Sequence, residues 1–222
     1  MPYKPNLESG RVFNKDKKYS DIDWSNWQVV VDEFETRLKA WYLQPTEYLR
    51  DKEHIGFPLI VLSCLLIDTL SQWEDGELKS RKKLFKEYVG SHVKNGSTNL
   101  PKRIVHYENG GNTQYNLENN ADALYEGFRC GVMHEAHAKL YCMILAKGED
   151  EIFYHEEEGL TLYEDGRDCV SVLIDPFELL DAVKEAFENY ISRLRDDNNP
   201  DNQKLIANFK KKFRWSFGID LQ

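Results

Sequence analysis

The sequence predicts a mainly α fold, a helical bundle with a small antiparallel β insertion at about 150–174. Three observations lead there. Apolar residues recur at helical spacing over most of the chain. One central segment is apolar nearly all round. A single stretch near 150–174 switches to short alternating runs around Glu164-Asp165-Gly166, as a hairpin or meander does. With 222 residues and 41% hydrophobic content the chain can bury one sizeable core, so a single domain over 24–222 is expected after an irregular arm at 1–23.

Taken in order, Ser25 and Gln28 look like a capping box, and Trp27, Val30, Val31, Phe34, Leu38 and Trp41 follow at helical spacing. Pro45 should end or kink that helix. A second helix covers about Phe57 to Trp73 and is interrupted at Gly76. A basic amphipathic helix follows from about Lys79 to Val89, with Leu84, Phe85 and Tyr88 as its buried stripe. The Gly-, Asn- and Ser-rich stretch 90–119 reads as a long loop with a short element near Arg103–Tyr107. The next helix runs from about Asn120 to Tyr141. After the β insertion, Asp175-Pro176-Phe177-Glu178 supplies an N-cap, a first-turn proline and an acid. Asn199-Pro200 opens a last helix containing Leu205, Phe209 and Phe213.

Charge is unevenly distributed. The 29 basic and 38 acidic side chains leave a formal charge of −9, yet residues 149–168 alone hold nine acids and one arginine. The stretch 77–103 is basic, with eight Lys or Arg against Glu77 and Glu87. A low overall charge therefore does not exclude an anionic partner, because steering follows local potential. Lys82, Lys83, Lys86, Lys102 and Arg103 are candidate contacts to an RNA backbone, and the basic run Lys210–Arg214 offers a second such cluster. The longest apolar run, 57–67, stops at Asp68, short of the roughly 20 residues of a membrane span. Residues 1–23 lack the apolar core of a secretory signal. Four cysteines form no C-x-x-C pair. A cytoplasmic protein with reduced thiols and no membrane association is expected.

One helix concentrates the chemistry. At 100° per residue, Leu124, Tyr125, Phe128, Val132, Met133, Ala136 and Leu140 share a broad apolar face, and Arg129 falls inside it. A guanidinium stays charged, so it must snorkel out, pair with a buried acid, or border a site for an anion. Asp68, set among Val61, Cys64 and Leu65, is a candidate partner for Arg129 or an orienting group for His134. Gly127, Cys130, Gly131, His134 and Ala138 form a small-residue strip suited to close helix pairing between two copies.

Arg129-Cys130-Gly131-Val132-Met133-His134 resembles the arginine, four-to-six residues, histidine signature of the HEPN superfamily, whose members include metal-independent endoribonucleases of toxin–antitoxin, phage-defence and RNA-processing systems. The resemblance covers mainly 57–141. It implies attack of an RNA 2′-hydroxyl on the adjacent phosphate, with His134 moving the proton and Arg129 stabilising the phosphate charge. It also implies a composite site at a homodimer interface, needing no cofactor. In a toxin–antitoxin setting a neutralising antitoxin protein would be a further partner. Many active members carry a polar residue after the arginine; here it is Cys130, a weak hydrogen-bond donor. Arg129 and His134 are about 140° apart on an ideal helix, so they need a bend near Gly131, the arginine's reach, or a second copy of the motif. Two alternatives stand beside this reading. One is a non-catalytic module of the same fold binding RNA, a nucleotide or a protein. The other is a metal-dependent hydrolase using His134 and His137, although H-E-A-H is one residue short of the zincin spacing.

Overall fold

The computed structural model describes residues 11–108, 113–131, 142–145, 151–156 and 171–221. The chain is mainly helical, with two small sheets among the described residues. It forms two compact units: 1–51 with 68–80 and 184–222, and 52–67 with 81–183.

The first unit is built on aromatic packing. Helix α1 (Trp27–Leu38) is N-capped by Asn26, whose side chain accepts from the Val29 N–H, so the cap lies one residue beyond the expected Ser25. The helix does not stop at Pro45. A π turn at Lys39–Leu43 widens the ladder, the Gln44 N–H donates to the Lys39 carbonyl, and Pro45 enters the first turn of α2 (Gln44–Leu49). Proline is tolerated there because its missing N–H lies where the regular ladder is already broken.

Phe34, Trp73 and Phe209 pack with centroids 4.5–5.2 Å apart, and Phe213 and Phe217 extend the cluster. Phe13, from the segment expected to be an irregular arm, is fully buried and meets Trp24 and Phe217 edge-on. The Trp27 indole N–H donates to the Leu194 carbonyl, and Arg193 pairs with Glu74 at 2.9 Å. Helix α3 (Gly56–Asp75) contributes 56–67 to the second unit and 68–75 to the first. It is long and apolar enough to cross a membrane by length and composition alone, and 56% of its apolar window is buried within the protein.

In the second unit, α4 (Lys82–His92) buries Phe85, Tyr88 and Val89. The stretch expected to be a loop holds a two-stranded antiparallel ribbon, β1 (Asn99–Glu108) and β2 (Thr113–Asn119). Its punctuation by Gly, Asn and Pro hides the strands. Pro101 lies where the register shifts between Asn99 and Ile104, on an edge strand, and both features let a strand position lose its donor. Helix α5 (Asn120–Ala123) runs into a π segment, Leu124–Cys130.

Three short strands follow: β3 (Cys142–Ile144), β4 (Phe153–Glu156) and β5 (Ser171–Ile174), in the order β3-β5-β4. Strand β4 runs antiparallel to β5, as the insertion predicts, while β3 is parallel to it and makes the sheet mixed. The turn expected at Glu164-Asp165-Gly166 lies outside the described residues. Asp175 caps α6 (Pro176–Arg195) through the N–H groups of Phe177 and Glu178, as its sequence suggests. Helix α7 (Gln203–Phe217) belongs wholly to the first unit and ends at Gly218 in the left-handed conformation, φ 71°.

Candidate functional site

The segment bearing Arg129 starts from a well-defined cap. The Asn119 side chain accepts from the Asp122 N–H at 2.9 Å, α5 makes one turn, and the ladder then widens into the π segment. Such widenings shift the angular register of every later side chain and recur at functional sites. Leu124, Glu126, Gly127 and Phe128 are buried, whereas Arg129 and Cys130 are half-buried. Gly127 and Gly131 of the small-residue strip are already buried within the single chain, which leaves Arg129 and Cys130 as the accessible side chains of the described part of the motif.

Arg129 settles the conflict of a guanidinium on an apolar face by lying over the Tyr125 ring, 5.3 Å from its centroid. The Lys82 ammonium is 5.9 Å from the same ring, and Phe85 meets it edge-on at 5.3 Å. Burial, and next the nearby Glu126 charge, push the Cys130 thiol pKa up, so it stays protonated at neutral pH.

Helix α4 faces this segment through charge. Lys82 pairs with Glu126 and Lys86 with Asp122; the two carboxylate side chains are only 6% and 5% exposed. Lys83 pairs with Glu87 at 3.6 Å on the open surface. These three lysines and Glu87 line an open depression of about 430 Å³. Lys82 and Lys86 thus already hold carboxylates, which lowers what they can offer a phosphate backbone. Asp122 and Glu126 did not stand out in the sequence. The signal was their four-residue spacing, which mirrors that of Lys82 and Lys86 with the order reversed, as antiparallel helices require.

Lys102 and Arg103 belong to β1, and their side chains are outside what the structure describes. His134 and His137 also lie outside the described residues, so of the expected catalytic pair only Arg129 is described, with its neighbour Cys130. Asp68 is 8% exposed, belongs to the first unit and accepts the Ser80 hydroxyl. The structure thus brings together Lys82, Lys86, Arg129 and Cys130 around Tyr125, Asp122 and Glu126. Among the described residues, no cluster of three His, Cys, Asp or Glu side chains could hold a metal ion. Neither family models, curated proteins nor solved structures give a match to this chain.

Proposed function

We propose that the chain is a HEPN-like, metal-independent endoribonuclease that cleaves RNA by 2′-hydroxyl attack, with Arg129 and His134 as the catalytic pair. The observation that carries this reading is the placement of Arg129: half-buried, resting on Tyr125, at the end of a π segment and five residues before a histidine. On an ideal helix Arg129 and His134 diverge by about 140°, and the arginine's reach or a second copy of the motif brings both to one phosphate. Arg129 then binds the non-bridging phosphate oxygens, and His134 takes the 2′-hydroxyl proton and returns one to the leaving 5′-oxygen. DNA, without that nucleophile, is not cut.

The active form in this reading is a homodimer whose two Arg129 segments share one groove. Purified protein should cleave single-stranded RNA in EDTA, and His134→Ala should abolish cleavage while the far-ultraviolet circular dichroism is unchanged. Cleavage that survives His134→Ala refutes the assignment. Light scattering that shows only monomer at the assay concentration refutes the composite site.

A second reading, a non-catalytic RNA-binding module, is favoured by Cys130. Its protonated thiol is a poor substitute for a strong donor beside the arginine. Salt-dependent RNA binding without cleavage would select it.

A further inference from the structure

Helix α7 has a composition unlike any other described helix. Over Gln203–Phe217 it carries Lys204, Lys210, Lys211, Lys212 and Arg214 and no acid. Its apolar face is spent on its own unit, since Leu205, Ile206, Phe209, Phe213 and Phe217 are buried. What remains outside is a cationic stripe. Relative to Lys204, Lys211 lies about 20° to one side and Trp215 about 20° to the other, so the three side chains form a line about 16 Å long.

Lys204 and Lys211 are exposed, and neither makes an ion pair among the described residues. Arg214 flanks the line, paired with Asp220 at 2.9 Å on the open surface. Trp215 is 42% exposed. The Lys212 ammonium lies 4.9 Å from its ring, and is itself anchored to Gln72 Oε1 at 3.0 Å and the Leu78 carbonyl at 3.2 Å. The indole is therefore steadied on the protein side and open to solvent elsewhere.

We infer that this stripe is a contact surface for single-stranded nucleic acid, with phosphates at Lys204 and Lys211 and a base stacked on Trp215. Unpaired cations in a row follow a sugar–phosphate backbone, and an aromatic face accepts any base. A basic amphipathic helix can also lie on an anionic membrane, but that mode inserts the apolar face. In α7 that face is buried in protein, which favours a polyanion in water.

The inference rests on the reading of the ligand as a polynucleotide, and DNA separates the two. This surface does not use the 2′-hydroxyl, so a labelled single-stranded oligothymidylate should bind it without being cut. Fluorescence anisotropy over a range of salt concentrations is the assay. Lys204→Gln/Lys211→Gln should flatten the dependence of log affinity on log salt by about 1.4, from roughly 0.7 per phosphate on a single strand. Trp215→Ala should weaken binding about tenfold, and Trp215→Phe should restore most of it. His134→Ala should bind this DNA like wild type, so loss of cleavage alone leaves the surface standing. Matching thermal midpoints confirm that the variants fold. A wild-type slope and affinity in the double variant would overturn the inference. So would wild-type protein that binds phosphatidylserine vesicles but no oligonucleotide, or that binds neither.

Discussion

Replacing Lys82 by Met tests whether the Arg129 segment is held to α4 by charge. Lys82 is 46% exposed at its side chain and its partner Glu126 only 6%, so the lysine leaves a carboxylate that cannot reach water. An exposed pair is worth about 0–1 kcal/mol, and breaking a fully buried one costs about 3–5 kcal/mol. With one partner buried and the other half in water, Lys82→Met should cost about 2 kcal/mol. Met keeps most of the lysine stem, so little packing is lost. In Lys82→Met/Glu126→Met the stranded charge is gone, and the double variant should recover to within about 0.5 kcal/mol of wild type. Urea denaturation followed by circular dichroism measures both. Single and double variants that are equally destabilised would show that Glu126 is not isolated when Lys82 is lost, and would refute the clamp.

Two further outcomes follow from local geometry. His155 on β4 donates from Nε2 to Asn120 Oδ1 at 2.7 Å, because the Asn120 amide nitrogen is already committed to the Asn95 carbonyl. Burial lowers the His155 pKa below its usual 6.5. The native state therefore resists the proton more than the unfolded state does; stability is full above about pH 6.5 and declines as pH falls from there toward the folded-state pKa. His155→Gln should flatten that part of a stability–pH curve, and an unchanged curve would count against the linkage. Gly76 has φ +70°, and an added Cβ would lie 3.0 Å from the Asn208 Cα. Gly76→Ala should cost about 2 kcal/mol in the same urea assay, mostly from left-handed strain, whereas a neutral result would mean that the turn relaxes.

The elements legible in the sequence are those whose burial pattern is local. The all-apolar run of α3, the Asp175 cap of α6 and the stripe of α7 each contain their own signal. The β1–β2 ribbon was legible only as a short element near Arg103–Tyr107, inside β1, because its stability comes from a partner strand and its composition is that of a loop. At Pro45 the sequence announced a break in the regular ladder but not its form. A π turn is a register change in the hydrogen-bond ladder, and no residue type announces it. At the candidate site the sequence pointed to Arg129 through its misfit on an apolar face. It did not reveal that Tyr125, four residues back on the same helix, would receive the guanidinium.

The two basic helices show why counting charges does not locate a polyanion surface. Helices α4 and α7 read alike in the sequence: each is amphipathic and rich in lysine, with an aromatic in its buried stripe. Their electrostatics differ because of what faces them. Opposite α4 stand Asp122 and Glu126, and a phosphate reaching Lys82 or Lys86 would have to displace a carboxylate that has almost no water to return to. That exchange recovers little, since one anion replaces another and the displaced one is left desolvated. On α7 the cations at Lys204 and Lys211 face solvent, and a phosphate there displaces only counterions, whose release drives binding. Charge reversal separates the two cases. Lys204→Glu/Lys211→Glu would act on polynucleotide affinity with little effect on folding, whereas Lys82→Glu/Lys86→Glu would place like charges against buried acids and unfold the segment that carries Arg129.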